Sequence, residues 1–264
     1  MDASVDTAGR FTTKFRVRYQ DSDPNLLATP VALLGAMQEA AIEHSEHVER
    51  GTEWLLQRSL SWMIVQTRFE ILSLPTCHTN LEVITWPSEM GRLLSRREFI
   101  INDADEKPVL LGTTLWAFMD TAAKKVTRVP EDVSNAYPVL IERALDKPFR
   151  RPEGCDQYQW QNRFPVRRWE IDFNSHVNNL RYLDWMLETV PADCYEAFRV
   201  QEVNIRYQKE VSLGQSVLAK TSRLSTVPGG LARFGHIILI EESSEPIASA
   251  ETIWAPQQSD STTA

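Results

Sequence analysis

The sequence predicts an α+β fold built from two copies of one unit, in a chain of 264 residues. The first observation is an internal repeat, because Asp23 and Asn25 match Asp172 and Asn174 at one offset, 172 − 23 = 149. The second is the order of elements in each copy, where one helical stripe precedes several strand-like segments. A helix laid against an antiparallel sheet buries the apolar faces of both. We therefore predict two fused α+β units.

The repeat covers most of the chain. The segments that begin at Phe15 and Phe164 also match, without gaps, at Val17 and Val166, Met37 and Met186, and Glu39 and Glu188. Farther along, TTLWA around Trp116 meets AETIWA around Trp254 at an offset of 254 − 116 = 138, so the second copy is shorter by 149 − 138 = 11 residues. Self-similarity at a fixed offset indicates a duplicated structural unit.

The predicted domain boundaries follow this duplication. Between the copies, a stretch with three prolines and mixed charges lacks sustained periodicity, which indicates a linker. The end of the chain is small and polar, which predicts a disordered tail. We expect a flexible N-terminus at 1–10, a first domain at 11–130, a linker at 131–161 with a short helix at 139–145, a second domain at 162–255 and a disordered tail at 256–264.

In the first copy, a strand at 12–19 precedes a half-buried helix. Thr29 can act as its N-cap, with Pro30 at the first helical position. Residues at helical spacing form the stripe: Leu33, Leu34, Met37, Ala40, Ala41 and His44. Apolar, β-rich segments then predict strands at 62–69, 80–86, 96–102 and 110–119.

The second copy repeats this order, beginning with a strand at 162–169. Asn178 or Asn179 can cap the helix, and Pro191 would end it. The stripe of this helix consists of Leu183, Met186, Leu187 and Val190. Further strands are predicted at 200–207, 216–224, 232–241 and 247–254.

Composition excludes several classes of protein. A formal net charge of −8 argues against generic nucleic-acid binding, which needs a positive field. No apolar stretch approaches the roughly 20 residues that span a bilayer, and the polar start MDASVDTAGR carries no secretory signal. The three cysteines lack CxxC spacing, which fits reduced thiols. We expect a cytoplasmic protein that binds neither nucleic acid nor membrane.

Three polar side chains stand out in IDFNSHVNNLRYLDW, which spans 171–185. Asp172, Asn174 and His176 fall two apart, so an extended backbone would place a carboxylate, an amide and an imidazole in one row. The structural alternatives are a turn cap for Asp172 and a capping or core role for His176. The row and the repeat together favour a functional site.

The run D-F-N-S-H-V-N-N-L-R-Y-L-D-W, followed by IRYQKEV at 205–211, resembles the second half of the acyl-ACP thioesterases. The first copy is similar to the same family through ATPVALLGAMQEAA and LWAFMDTAAKKVTRVPEDV. The resemblance implies two tandem hotdog domains, each a long helix wrapped by a curved antiparallel sheet. It implies hydrolysis of fatty acyl-acyl carrier protein to free fatty acid and holo-ACP, without a cofactor. The implied partner is acyl carrier protein with a phosphopantetheine-linked acyl chain, and a homodimer stays open.

Carried over residue by residue, the resemblance implies catalytic roles for Asp172, Asn174, His176 and Glu210. Plant members often have a cysteine directly after the glutamate, but this chain has Val211 there, which argues against a thiol nucleophile. We expect attack by water that Glu210 or His176 activates, with Asp172 and Asn174 orienting the site. Direct attack by Asp172 is the rival mechanism.

Substrate contacts are predicted at three residues. Backbone N–H groups near Asn178, at the start of the second helix, could bind the thioester oxygen. The resemblance implies that the first domain shapes the acyl tunnel, so Trp62 and Met37 are candidates for chain-length selection. No metal is expected, because His44 and His47 lack a third ligand at useful spacing and fit a solvated helix face.

Two other functions stay open from the sequence. An acyl-CoA thioesterase of the hotdog superfamily would use Asp172 or Asp23, and a non-catalytic hotdog protein would only bind acyl chains. Asp23 lies in the copy that has Leu27 where the second has His176, so we expect a degenerate site there.

An acidic thioesterase needs a local basic patch to meet acyl carrier protein, which is itself acidic. Two clusters of arginines could supply such a patch. One consists of Arg92, Arg96 and Arg97, and the other of Arg163, Arg167 and Arg168.

Overall fold

In the computed structural model, which describes residues 3–155, 157–227 and 230–257, the chain divides between Phe149 and Arg150 into two units. We call 1–149 the first unit and 150–264 the second unit. The division falls inside the predicted linker at 131–161. Most of the predicted tail at 256–264 lies outside the described residues.

The first unit combines one long helix with an antiparallel sheet. Its elements are β1 (Ser4–Val5), β2 (Phe11–Arg16), α1 (Pro30–His47), α2 (Thr52–Leu56), β3 (Leu60–Ile71), β4 (Asn80–Met90), β5 (Leu94–Asn102), β6 (Pro108–Asp120), β7 (Lys125–Val126) and α3 (Glu131–Ser134). The strands lie in the order β1-β2-β4-β5-β6-β3, and β7 pairs with β6. Residues 1–10, predicted as flexible, include β1, which pairs with the start of β2.

The start and packing of α1 follow from its sequence. The Thr29 hydroxyl accepts a hydrogen bond from the Ala32 N–H at 3.1 Å, and Pro30 is the first helical residue. Met37 is buried against β6 at Gly112, where a Cβ would lie 2.6 Å from the Met37 methyl carbon. A larger residue at this position would force the end of the Met37 side chain to move.

The second unit repeats the same layers. Its elements are β8 (Trp160–Pro165), α4 (Asn179–Leu187), α5 (Ala192–Ala197), β9 (Phe198–Tyr207), β10 (Ser216–Val227), β11 (Leu231–Ile240) and β12 (Pro246–Pro256). The strands lie in the order β9-β12-β11-β10-β8, all antiparallel. The repeat is visible in the element starts: 11 + 149 = 160 for β2 and β8, 30 + 149 = 179 for α1 and α4, and 108 + 138 = 246 for β6 and β12.

The helix α4 ends at Leu187, one turn before the predicted stop at Pro191. The Thr189 N–H bonds to the Met186 carbonyl and the Val190 N–H to the Leu187 carbonyl, both over three residues rather than four. The residue before a proline is disfavoured in the helical conformation, and β-branched Thr189 and Val190 add to that bias. The second unit therefore has a nine-residue helix where the first has eighteen.

The segment 139–145, predicted as a short helix, is not helical. Its backbone groups bond to the sheet instead: the Leu140 N–H donates to the Pro87 carbonyl at 3.0 Å, and the Trp86 indole donates to the Glu142 carbonyl at 3.2 Å. These contacts satisfy backbone groups that a helix would otherwise use internally. The only helix of the predicted linker within the described residues is α3.

The described part of the chain contains no candidate for a membrane-spanning helix. None of its helices combines the length and the apolar character that a bilayer span needs.

Candidate active site

The predicted row of polar residues lies in a tight turn between β8 and α4, not in an extended strand. The Asp172 N–H donates to the His176 carbonyl at 2.8 Å, and the Ser175 N–H donates to the Asp172 carbonyl at 3.0 Å. The Asp172 carboxylate accepts the Asn174 N–H at 2.8 Å. Ser175 has φ 64°, in the left-handed region that such a turn requires. The side chain of Asp172 thus fixes the backbone that carries His176.

Both ends of this turn are tied to neighbouring elements. The Val177 N–H donates to the Val211 carbonyl at 2.9 Å, which brings the segment after β9 alongside the turn. The Asn178 N–H donates to the Glu170 carbonyl at 2.8 Å, and the Asn178 side chain accepts the Leu180 N–H at 3.0 Å. Asn178 is therefore the N-cap of α4, one of the two caps that the sequence predicted.

The tie at Val211 places His176 next to Glu210. The distance from His176 Nε2 to Glu210 Oε2 is 3.1 Å, within hydrogen-bonding range. The two side chains are 35% and 53% exposed, so a substrate can reach them. An ion pair this exposed contributes only about 0–1 kcal/mol to stability. The pair therefore has little structural value, and an imidazole beside a carboxylate is suited to moving protons.

Tyr182, on the first turn of α4, is a site residue that the sequence analysis missed. It is buried, and its hydroxyl donates to the Lys209 carbonyl at 3.2 Å, one residue before Glu210. Burial, with the negative charges of Glu210 and Asp172, raises the pKa of the Tyr182 phenol, so the hydroxyl stays a donor. The sequence could have indicated this residue, because Tyr182 follows the N-cap by four residues and lies on the face of α4 that packs inward.

The first unit contains the same turn without a counterpart of the His176 and Glu210 pair. The Asp23 N–H donates to the Leu27 carbonyl at 2.8 Å, and the Asp23 carboxylate accepts the Asn25 N–H at 2.8 Å. The Ala28 N–H donates to the Pro75 carbonyl, as Val177 does to Val211, an offset of 211 − 75 = 136.

The same offsets show which residues replace the pair in the first unit. Leu27 stands where the second unit has His176, since 176 − 27 = 149, and Leu74 stands where it has Glu210, since 210 − 74 = 136. Two apolar side chains cannot move protons. The first copy therefore has the turn but neither side chain of the pair, and its degeneracy stays a prediction.

The two predicted chain-length residues both lie in the first unit. Met37 is buried under α1 against Gly112, as described above. Trp62 is half-buried in β3, and its ring meets Phe118 edge-on with 4.6 Å between centroids. Trp62 packs against a cluster of buried side chains that consists of Leu55, Phe118, Val129, Val133 and Tyr137.

His44 does not lie on a solvated helix face as predicted, although His47 does. His44 is buried, stacks on Phe11 with 5.0 Å between centroids, and places Nδ1 2.9 Å from the Arg97 guanidinium. Burial, with the charge of Arg97, lowers the pKa of His44 to about 2, so the ring stays neutral. Within the described ranges, no group of three His, Cys, Asp or Glu side chains could hold a metal ion.

The prediction of a basic patch at Arg92, Arg96 and Arg97 is wrong, because two of these side chains are not exposed on the surface. Arg97 is buried, and Arg96 donates to the fully buried Glu98 carboxylate at 2.7 Å. Only Arg92 of that cluster is exposed. The arginines of the second unit, Arg163, Arg167 and Arg168, are all exposed.

Comparison with known proteins identifies the family. Residues 9–137 match the acyl-ACP thioesterase N-terminal domain, and residues 155–256 match the acyl-ACP thioesterase C-terminal domain. The chain is 29% identical over 270 residues to a chloroplastic protein of Cinnamomum camphora named dodecanoyl-[acyl-carrier-protein] hydrolase, covering 95% of this chain and 69% of the relative.

Two solved structures share the fold. The 12:0-ACP thioesterase from Umbellularia californica has a TM-score of 0.84 at 23% identity, covering 94% of each chain. An acyl-ACP thioesterase from Bacteroides thetaiotaomicron has a TM-score of 0.82 at 21% identity, covering 93% of this chain and 98% of that one. The fold is α+β, two tandem hotdog domains, as predicted. Since the two domain matches together span nearly the whole chain, this protein belongs to the acyl-ACP thioesterase family.

Proposed function

We propose that this chain hydrolyses fatty acyl-acyl carrier protein to free fatty acid and holo-ACP, and that the chemistry takes place at the turn that carries His176. The family supplies the reaction class, that of a thiolester hydrolase. The observation that carries the location is the pair of His176 and Glu210 at 3.1 Å, which the first unit replaces by two leucines.

In the proposed reaction, a water molecule attacks the thioester carbonyl carbon. Glu210 or His176 takes a proton from that water as the new C–O bond forms, which gives a tetrahedral oxyanion. The oxyanion then collapses, the C–S bond breaks, and the same proton goes to the pantetheine thiolate, either directly from the His176 imidazolium or, when Glu210 was the base, from Glu210 through His176. Free acid and thiol are the products, so no redox step or cofactor is needed.

The oxyanion binds at the start of α4 in this proposal. The first N–H groups of a helix lack partners within the helix and carry a positive partial charge. The Asn178 side chain satisfies the Leu180 N–H, whereas the Asn179 N–H has no hydrogen-bond acceptor in the described part of the chain. Asn178 thus contributes to substrate binding by holding this turn. Donors aimed at a developing oxyanion are typically worth about 3–4 kcal/mol.

Asp172 and Asn174 orient the site in this mechanism. Asp172 uses one carboxylate oxygen to hold the Asn174 N–H, and Asp23 does the same in the first unit, where no acid–base pair exists. A turn-forming role therefore explains the aspartate in both copies. The half-buried Asn174 side chain is left to fix water or the imidazole.

The rival mechanism is attack by the second oxygen of Asp172 on the thioester. That oxygen would form an acyl–aspartyl anhydride as the thiol leaves, and water would then cleave the anhydride. Acid quenching during turnover distinguishes the two mechanisms by mass spectrometry. Direct attack by water predicts an unmodified peptide around Asp172, and an acyl adduct on Asp172 would establish the rival.

The test of the proposed function compares carriers. Steady-state hydrolysis is measured for matched acyl-ACP and acyl-CoA substrates with C8 to C18 chains. We expect a higher kcat/KM for acyl-ACP at the preferred length. A preference for acyl-CoA would contradict the proposal and favour the acyl-CoA thioesterase alternative, and no hydrolysis of either would favour an acyl-binding protein.

Chain-length selection by the first unit is a further part of the proposal. Met37→Leu changes the apolar contact between α1 and β6, and Trp62→Phe changes the packing of β3 against the buried cluster at Phe118. Both substitutions keep the interior apolar. They are expected to shift the chain length with the highest kcat/KM, measured over the same C8 to C18 series. An unchanged length profile in both variants would remove these residues from substrate binding.

Location and assembly complete the proposal. Cys77 and Cys194 are free thiols, which suits the reducing cytoplasm. Cell fractionation would test this location. A homodimer would show in light scattering as twice the chain mass of 30.2 kDa.

A further inference from the structure

We propose that four exposed side chains around the second unit's turn, Arg167, Arg168, Trp169 and Phe173, form the surface that receives the acidic face of acyl carrier protein. We call this surface the turn rim. The inference rests on the proposed function, and it adds the place at which the carrier docks.

Two large aromatic side chains of the turn rim point into solvent. Trp169 is 73% exposed and Phe173 is 59% exposed. Neither contributes to the core, and Phe173 lies between Asp172 and Asn174 in the turn itself. Aromatic side chains are enriched at protein interfaces, and tryptophan is enriched among the residues that dominate binding energy.

The turn rim also carries positive charge that is available to a partner. Arg167 places its guanidinium 5.7 Å from the centre of the Trp169 ring, and Arg168 is exposed. Across 3–155, 157–227 and 230–257, no carboxylate forms a salt bridge with the side chain of either arginine, although the Glu170 carboxylate accepts the Arg167 backbone N–H at 2.7 Å. By contrast, Arg163 pairs with Glu241 at 2.6 Å, so its charge is neutralised locally.

The overall charge of the chain makes such a local patch necessary. At −8, the chain as a whole repels an acidic carrier. Screening at physiological salt limits interactions between exposed charges to about 8 Å, so the charges nearest the docking point decide whether the carrier is attracted. The turn rim supplies two arginines without an ion-pair partner among the described residues, between 172 − 168 = 4 and 176 − 167 = 9 residues before Asp172 and His176 in the sequence.

The first unit shows the turn without this rim. Arg18, the counterpart of Arg167, is held by two hydrogen bonds from its guanidinium to the Asp21 carboxylate, at 2.7 and 3.0 Å. Gln20 and Pro24 stand where the second unit has Trp169 and Phe173, at the offset of 149. The first unit's turn is also exposed at Arg18 and at Tyr19, which is 78% exposed and stands where the second unit has Arg168. What distinguishes the second unit's turn is the aromatic side chains at Trp169 and Phe173 and an Arg167 guanidinium that has no ion-pair partner in the described ranges.

The experiment compares two double charge reversals of equal size. Arg167→Glu/Arg168→Glu alters the turn rim, and Arg151→Glu/Arg223→Glu alters two other exposed arginines of the second unit. Arg223 lies beyond the pair of Thr221 and Trp160, at the end of β8 and β10 opposite to the turn. Both variants are assayed on acyl-ACP and on the neutral acyl-N-acetylcysteamine thioester, and fluorescently labelled holo-ACP is titrated into each protein.

We expect the turn-rim variant to raise KM for acyl-ACP and Kd for holo-ACP about tenfold, because rim charges act mainly on encounter with a charged partner. Its kcat/KM for the neutral thioester is expected to stay within about twofold of the wild type. The control variant should change none of these values by more than about twofold. Trp169→Ala should weaken holo-ACP binding about fivefold.

Three outcomes would overturn the inference: an unchanged Kd for holo-ACP in the turn-rim variant, an equal rise in the control variant, or an equal loss on the neutral thioester. The binding titration does not depend on catalysis. Binding of holo-ACP through the turn rim without hydrolysis would therefore refute the proposed function but support the docking surface. Hydrolysis of acyl-ACP with unchanged holo-ACP binding in the turn-rim variant would support the proposed function but refute the docking surface.

Discussion

Acidification is expected to destabilise the second unit through one buried histidine, His236. This ring is 2% exposed, with Nδ1 2.8 Å from the Thr221 hydroxyl and Nε2 2.8 Å from the Thr252 hydroxyl. Burial lowers its pKa from 6.5 to about 3. Below pH 6.5 the unfolded chain binds a proton at this position that the folded unit does not, so stability is full above that pH and falls as the pH falls.

The size of the effect follows from these values. Between pH 8 and pH 5, the unfolded histidine gains about 1.5 × 1.36, or about 2 kcal/mol, from protonation while the folded ring stays neutral. This figure does not depend on how far below pH 5 the folded pKa lies. His44 adds a similar contribution in the first unit, because burial lowers its pKa to about 2.

Urea unfolding at pH 8 and pH 5, followed by tryptophan fluorescence, measures the effect. His236→Gln keeps groups that can bond both hydroxyls but has no charge to gain. It should therefore lose about 2 kcal/mol less stability than the wild type between the two pH values. His78→Gln, at an exposed position, is the control. An equal loss for the wild type and His236→Gln would refute the assignment.

Three further variants test the site and the fold. Tyr182→Phe removes the hydroxyl bonded to the Lys209 carbonyl and should lower kcat about tenfold with KM for acyl-ACP unchanged, because Glu210 loses a positioning contact. The control is Tyr137→Phe, which removes a buried hydroxyl in the first unit. An equal fall in kcat in the control would contradict the role of Tyr182. Asp172→Ala removes the acceptor that holds the turn carrying His176 and should lower kcat on acyl-ACP about 100-fold, whereas Asp23→Ala in the matching turn should stay within about twofold. Similar losses in both variants would contradict a positioning role that is specific to the second unit. Burial raises the pKa of the Glu251 carboxyl, but hydrogen bonds from Arg150 and Arg233 outweigh this effect and lower the pKa to about 2. The ionised carboxylate therefore stabilises the fold above pH 4.5, and this stabilisation is lost as the pH falls toward 2. Glu251→Gln should therefore reduce the free energy of unfolding by about 2 kcal/mol at pH 7 and by less at pH 3, and a loss equal at both pH values would contradict the charge-based account.

The duplication was predictable because both copies kept the residues that their backbone requires. Asp23 and Asp172 accept the same backbone N–H, and α1 and α4 begin at matching caps. Such local requirements leave a fixed spacing in the sequence. The order of helix and strands followed from periodicity for the same reason.

Other features depend on contacts between distant parts of the chain. The role of Tyr182 follows from its bond to Lys209, 27 residues away, and no local pattern records that bond. A short helix was predicted at 139–145, but hydrogen bonds to β4 and β5 hold this segment in another conformation. Arg96 and Arg97 belonged to a basic run typical of a solvated surface, yet the alternation of β5 buries one of them.

The central claim is that His176 and Glu210 form the acid–base pair of a thioester hydrolase. It is tested most directly by kcat/KM on the preferred acyl-ACP for the wild type, His176→Ala and Glu210→Gln, with folding checked by circular dichroism. The account predicts a loss of about 100-fold or more in each variant, with a double variant little worse than either single one, because the two side chains act as a unit. Near wild-type activity in either folded single variant would contradict it.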